Sequence, residues 1–322
     1  MDRRNFLLAA ALAMLSPGLV RAQSAQRPRL GVLLYGNPHT DPNIESFRRG
    51  FRDLGYSDGK NVTIEYRYAD GRPERLPELA AELLRLKPDV ILAFGGDVVV
   101  HVHPATKTIP IIFAISSDPV LSGLVASMSR PGGNATGFTF LQDQLAGKRL
   151  FLLKDLLPRT TNVGFLYNPL HLDNELREAQ RTASDIGVTI YPAETRRPAD
   201  FDRALEEAKR VNVDALYVVS SRETVANAGR IVDFGMKNNI PVIGGWGTWA
   251  QSGALFSYGP NVIEIARQVG DYVDRVLKGA KPGDLPAQQP TRFELVVNVK
   301  TADKLGLKIP EAFLLQADKV IE

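Results

Sequence analysis

The sequence predicts an α/β protein of two similar lobes, each built on a mostly parallel sheet flanked by helices. Three observations carry this expectation. Apolar, β-branched runs alternate with amphipathic stretches at helical spacing, the pattern of βαβ units. A set of three such runs occurs twice in the same order. The chain of 322 residues also exceeds the size at which one hydrophobic core usually stops growing.

Arg29 to Asn37 (RLGVLLYGN) is a near-continuous apolar run ended by a Gly-Asn-Pro turn, as a strand buried on both faces reads. A helix is expected next. Asp41 caps it, Pro42 suits its first turn, Ile44, Phe47, Phe51 and Leu54 recur at helical spacing, and Gly55 ends it. Pro88 to Asp97 (PDVILAFGGD) and Ile109 to Asp118 (IPIIFAISSD) repeat the strand signal.

LGVLLYGNP from Leu30 is then echoed by VGFLYNP from Val163, KPDVILAFGGD by NVDALYVVSSR, and TIPIIFAISSD by NIPVIGGWGTW. Two lobes of one topology account for three matched elements in one order. The Pro- and Gly-rich segment SRPGGNATGFTF (129–140) fits a chain crossing from one lobe to the other. SYGPN (257–261) precedes a helix with Ile263, Ala266, Val269, Val273 and Val276 on one face, and KPGDLPAQQP (281–290) suits a further crossing. Lobe 1 is therefore assigned 28–138 and 260–282, and lobe 2 is assigned 139–259 and 283–322. Several crossings make a hinge at which small rotations open and close a cleft.

Ahead of the lobes, residues 1–22 read as an export signal: Arg3 and Arg4, an apolar stretch from Phe6 to Leu15, and the small-residue cleavage motif Val20-Arg21-Ala22. The apolar stretch falls short of the roughly 20 residues that span a bilayer. RRNFLL suits the twin-arginine route, and an ordinary secretion signal with two arginines reads much the same. A periplasmic, freely diffusing monomer is expected. Removing three arginines and one aspartate with this segment lowers the formal charge from +3 to +1, so nucleic acid is not an expected partner.

In open α/β sheets the binding crevice lies beyond the carboxyl ends of the strands. Those ends offer Tyr35 and Asn37, Phe94, Gly95, Gly96 and Asp97, and Ser116, Ser117 and Asp118 in lobe 1. In lobe 2 they offer Tyr167 and Asn168, Ser220 and Ser221, Trp246 and Thr248, with Tyr258 nearby. Rings supply apolar walls, hydroxyls and amides fix orientation, and Asp97 or Asp118 could hold an amino group. The expected ligand is a small organic molecule with a flat apolar body and a polar end. Each serine or aspartate has a second reading as a helix cap, and each tyrosine as a core residue. Trp246 is preferred over Trp249 because it lies nearer its strand end.

Other chemistries find little support. The chain has no cysteine, which excludes disulfides, Cys-ligated zinc, a thiol nucleophile and a lipid-bearing cysteine. Gly55 to Asn61 departs from a phosphate loop in spacing and lacks its final Ser or Thr. His101 and His103 belong to no HExxH, and no GxSxG, SxxK or GxGxxG occurs. No catalytic residue, metal or cofactor is expected.

The start RRNFLL, RPGGNATGFTF, the DPV and GLV of Asp118 to Val125, SYGPN, and the tail LKGAKPGDLPAQQPTRFELVVNVKTADKLGLKIP together resemble the ABC transporter substrate-binding protein family. That family includes tryptophan- and tyrosine-type importer components. The resemblance covers essentially the whole chain after the export signal. It implies a periplasmic-binding-protein fold with three hinge crossings, an extracytoplasmic location, a small-molecule ligand, and an ABC permease and ATPase as partners. Many members are lipoproteins, and this chain departs from them in lacking the cysteine. A ligand sensor for a membrane receptor and an exported α/β enzyme are the alternative functions; a repressor of the sugar-responsive class would carry a helix-turn-helix where this chain has its signal.

Overall fold

Strand β1 (Arg29–Leu34) is buried from Leu30 onward, as its apolar run requires. These features come from a computed structural model that describes residues 27–39, 41–171 and 174–322. The expected export signal lies outside the described residues. Helix α1 (Pro42–Asp53) starts where the Asp41 carboxylate accepts from the Asn43 amide at 2.9 Å, and it ends before Gly55, whose φ of 89° favours glycine.

The first lobe continues through β2 (Thr63–Tyr68), α2 (Leu76–Arg85), β3 (Val90–Phe94), α3 (Gly96–Val102), β4 (Ile111–Ile115) and β5 (Ala135–Thr139). Its strands form one parallel sheet in the order β2-β1-β3-β4-β5. Strand β5 corrects the sequence reading of 129–140 as a crossing. Its glycine breaks the apolar pattern for a steric reason: a Cβ at Gly137 would overlap the Phe113 carbonyl oxygen of β4.

The second lobe runs through α4 (Gln142–Leu156), β6 (Asn162–Tyr167), α5 (Glu175–Asp185), β7 (Thr189–Glu194), α6 (Phe201–Arg210), β8 (Ala215–Val218), α7 (Arg222–Ala226), α8 (Ala228–Lys237), β9 (Val242–Gly244), α9 (Gly247–Gln251) and β10 (Phe256–Pro260). After helix α10 (Val262–Leu277), the chain returns as β11 (Phe293–Asn298), α11 (Val299–Lys304), α12 (Glu311–Leu314) and β12 (Lys319–Ile321). The second sheet has the order β12-β11-β10-β9-β8-β6-β7, parallel except for the β10–β11 pair.

Five strands of the second sheet thus repeat the topology of the first. The equivalence extends to single atoms. The Asp89 carboxylate accepts from the Arg29 amide at 2.7 Å, and the Asp214 carboxylate accepts from the Asn162 amide at 2.8 Å. In each lobe the aspartate before the second inner strand fixes the start of the first.

The chain passes between the sheets after β5, between β10 and α10, and through Gln289–Arg292 before β11. Before that last passage the segment still borders β5, where the Gln288 amide donates to the Gly137 carbonyl at 2.7 Å. Helix α10 packs on the first lobe, although its neighbours in sequence, β10 and β11, belong to the second sheet. Gly50 lets it lie close on α1, since a Cβ there would strike the Arg267 carbonyl oxygen. Ser46 Oγ donates to the Ile263 carbonyl at 2.8 Å and the Tyr56 hydroxyl donates to Asp274 at 2.9 Å. Burial first, and Asp274 next, push that phenol up to about 12.

Arg149 on α4 is fully buried. Its guanidinium donates to Glu175 at 2.5 Å, to the Tyr217 hydroxyl at 2.7 Å, to the Tyr258 carbonyl at 2.7 Å, and to the Gln142 carbonyl and side-chain oxygens. Burial opposes its charge, and Tyr217 and Glu175 outweigh that opposition. Removing one partner of such a pair strands the other charge, which costs about 3–5 kcal/mol, whereas replacing both by apolar side chains is often neutral. Arg149→Met should therefore lower unfolding free energy by about that amount in a denaturant titration, and Arg149→Met with Glu175→Leu should recover a large part of it.

Candidate functional site

Between the carboxyl ends of the two sets of strands lies a cavity of about 890 Å³. That volume falls within the roughly 300–1,000 Å³ typical of small-molecule sites. Tyr35, Asn37, Asp41 and Asp70 border it from the first lobe, and Arg222, Trp246 and Thr248 border it from the second. Strand ends and helix starts place all of them. Tyr35 and Asn37 follow β1, Arg222 opens α7 directly after the β8 end, and Trp246 is the residue before α9.

Arg222 joins the two lobes. Its guanidinium donates to Asp41 at 2.9 Å and lies 4.4 Å from the centre of the Phe94 ring and 5.9 Å from that of Trp246. Trp246 meets Phe140 edge-on at 5.8 Å. A second contact between the lobes sits deeper, where Ser116 Oγ and His171 Nε2 are 3.5 Å apart. His171 interacts electrostatically with Asp97 and with Glu223, and Asp97 with Glu223. Burial raises the pKa of Asp97 above the usual carboxylate value, against the lowering effect of His171 and Arg222. Burial likewise raises that of Glu223, with Asp97 adding to it and the Asn168 amide opposing it through a 3.1 Å hydrogen bond. Burial pushes the Tyr35 phenol up as well, helped by the same two carboxylates.

Around this junction several buried polar atoms have no hydrogen-bond partner in the protein: Asp97 Oδ1, Ser117 Oγ, Arg222 Nη2, Glu223 Oε1, Trp246 Nε1 and Thr248 Oγ1. Folded proteins pair nearly all such atoms. These six belong to residues of the junction or of the cavity border, and further such atoms lie on Gln142 and Ser257 in the second lobe.

The candidates from the sequence separate into groups. Tyr35, Asn37, Trp246 and Thr248 border the cavity, while Asp97, Ser116, Ser117 and Asn168 belong to the deeper junction with Gly96, which lies close to His171 and Ser117. Gly95 precedes α3 at φ 130° and brings the backbone close to the Asp97 carboxylate. Phe94 is fully buried with Arg222 over its ring, so it acts on the cavity through that cation.

Others serve the fold. Asp118 accepts from the Val120 and Leu121 amides and shapes a turn. Ser220 Oγ accepts from the Gly245 amide and from the indole of Trp249, and Ser221 caps α7 through Thr224. Tyr167 packs near Phe165 and Tyr258 beside Phe293, both in the second lobe. These five carry the cap and core readings that their residue types also allow.

The sequence singles out none of Arg222, Glu223 and His171, which the structure places at the junction of the lobes. Arg222 and Glu223 follow Ser220-Ser221 immediately, so their position beyond the β8 end was the available signal.

Residues 35–321 match the model of the family described as ABC transporter substrate binding protein. The chain belongs to that family. Substrate-binding proteins of this family are a non-catalytic, extracytoplasmic class that takes small-molecule ligands and works with ABC permeases. A curated relative, a tyrosine-binding protein of Clostridioides difficile strain R20291, is 26% identical over 292 residues, 89% of this chain and 84% of the relative. A conserved domain protein from Vibrio cholerae has a crystal structure similar at TM-score 0.86 with 28% identity, over 92% of this chain and all of the other. A Streptococcus pneumoniae ABC domain in complex with L-Trp is similar at TM-score 0.85 with 25% identity, over the same shares. This substrate-binding protein thus shares its fold with both of these structures across nearly its whole described length. No helix among the described residues is long and apolar enough to cross a membrane.

Because the folded protein holds protons on Asp97 and Glu223 more tightly than the unfolded chain, these carboxyls favour folding most at low pH. That contribution is lost as pH rises through their raised values. Asp97→Asn should therefore raise the melting temperature of the ligand-free protein at pH 7.5 by roughly 2 °C or more, and the gain should shrink towards pH 4. Melting curves across that range check both the sign and the window.

Proposed function

We propose that this substrate-binding protein is a periplasmic monomer that captures a small aromatic, amino-acid-like molecule between its lobes and closes around it before delivery to the permease. The observation that carries this reading is the set of buried, unpartnered polar atoms beside a ring-bordered cavity. Tyr35 and Trp246 give apolar walls of the kind an aromatic body fits, and Trp246 Nε1 and Thr248 Oγ1 supply a polar rim. The tyrosine- and L-Trp-binding relatives support the same ligand class.

Closure follows from the three passages of the chain between sheets. Arg222–Asp41 and Ser116–His171 contacts exist only when the lobes are together. A guest that contacts both lobes shifts the population towards that state, and the combined surface is what the permease reads. The lobes exchange near residues 139, 260 and 289–292, which are the proposed hinge. Export would remove the segment up to about Ala22, and fractionation of cells should recover the shortened chain from the periplasm; full-length chain in the cytosol would contradict this part of the reading.

A thermal-shift panel of amino acids, aromatic acids, nucleosides and sugars tests the ligand class. A ligand present at 100 times its dissociation constant stabilises by about 2.7 kcal/mol, so a genuine guest stands out clearly. Aromatic amino acids should give the largest shifts, and Trp246→Ala should weaken the best of them by about tenfold or more, which corresponds to about 1.4 kcal/mol. Shifts with sugars alone would overturn the aromatic assignment.

A further inference from the structure

We propose that Arg222 is a clasp that acts before any guest arrives: reaching from the second lobe into a seat on the first made by Asp41 and the Phe94 ring, it sets how much of the ligand-free protein is closed. The inference rests on the solute-binding reading above and names the residue pair that tunes its affinity.

Arg222 opens α7 of the second lobe, yet its side chain is spent on the first. Nη1 donates to Asp41 Oδ2 at 2.9 Å, and the guanidinium lies 4.4 Å from the centre of the Phe94 ring, nearer than the 5.9 Å to Trp246 of its own lobe. The side chains of the ion pair are only 10% and 12% exposed, so the contact lies inside the closed molecule and not on its rim.

The seat on the first lobe is prepared for this cation. Asp41 divides its carboxylate: Oδ1 accepts from the Asn43 amide at 2.9 Å and from the Asn43 side chain at 3.0 Å, capping α1, and Oδ2 is turned to Arg222. The Asp41 amide donates to the Asn37 carbonyl at 3.1 Å, which fixes the backbone as well. Phe94 is fully buried at the end of β3. A guanidinium suits both partners, because it donates in its plane and stacks on a ring with its face, whereas an ammonium is a point charge.

Separating the lobes returns both ions to water, so the pair biases closure only moderately, and the attraction to the ring adds to that bias as water is excluded. Losing one partner acts more strongly. Closure must then bury the other charge uncompensated, while the open form leaves it hydrated. Nη2 is buried without a partner in the protein, which offsets part of the gain and keeps the clasp from locking the cleft. A guest that binds the closed form is weakened in proportion to the molecules that are not closed. The clasp therefore scales affinity through the population of closed protein.

The chain has no cysteine, so Lys60→Cys on the first lobe and Lys209→Cys on the second, both exposed positions, accept a pair of dyes without competing thiols. Single-molecule energy transfer on the labelled, ligand-free mature protein at pH 7.5 should show a compact population that falls about threefold or more in Asp41→Asn and in Arg222→Gln. Asparagine caps a helix about as well as aspartate, so Asp41→Asn keeps the start of α1, and melting curves check that each variant is folded. The double variant should open no further than the more open single one, because one clasp is lost only once. With L-tryptophan as the probe, isothermal titration should give Asp41→Asn a Kd raised by about the factor by which its compact population falls. Equal compact populations in all variants, no compact population in the unaltered ligand-free protein, or additive losses in the double variant would each overturn the clasp and leave solute capture standing. Absence of L-tryptophan binding by the unaltered protein would count against the aromatic ligand class, while the ligand-free populations still decide the clasp.

Discussion

The guanidinium of Arg149 is the interaction on which the second lobe depends. Its donors reach Gln142 at the start of α4, Glu175 at the start of α5, Tyr217 in the middle of β8 and Tyr258 in β10. Gln142 stands just after one passage between the sheets and Tyr258 just before another. A single buried cation therefore fixes the points from which the chain departs for the first lobe and to which it arrives. A buried charge tolerates no slack, because each lost partner exposes an uncompensated donor to a medium of low polarity. The chain is held firmly at both of these points for that reason.

The junction of the lobes is built on the opposite principle. Where Arg149 satisfies its donors within one lobe, Arg222 leaves a donor open, and Asp97 and Glu223 leave acceptor oxygens open, across two. Open polar groups in a buried place cost stability. The two arginines thus differ in reach: one ties elements within a lobe, and the other ties residues of two lobes. Phe94 shows how closely the parts are coupled, since its ring supports Arg222 instead of meeting the cavity itself.

Much of this arrangement was legible in the amino-acid sequence, for reasons that can be stated residue by residue. The strands around Val32, Leu92, Phe113, Phe165 and Tyr217 are buried on both faces, so their apolar runs are unbroken and their doubled order is plain. Asp41, Pro42 and Gly55 mark the ends of one helix by local chemistry alone. Strand β5 escaped because Gly137 must be small for the Phe113 carbonyl to approach, so the residue that makes the strand possible also makes it read as a linker. Tyr35 and Trp246, picked out by their places at strand ends, border the cavity, and Asp97 lies at the deeper junction. Ser220, Ser221 and Asp118 share those places and are drawn into local bonds instead, a choice that side-chain type does not decide. Arg222, Glu223 and His171 meet or interact with residues of the other lobe, a relation with no local signature.

Helix α10 carries a consequence for how the molecule assembles. It covers α1 of the first lobe, yet more than 200 residues separate Ser46 from Ile263, which it contacts, and five strands of the second sheet lie in between. Contacts so distant along the chain form late and slow the search for the native state, because a long loop must close before they repay its entropy. The first lobe is consequently the first to be synthesised and cannot be the first to be finished. Until the second sheet has gathered, the apolar flank of α1 stays exposed, so the nascent chain presents an unfinished surface to whatever escorts it for most of its length.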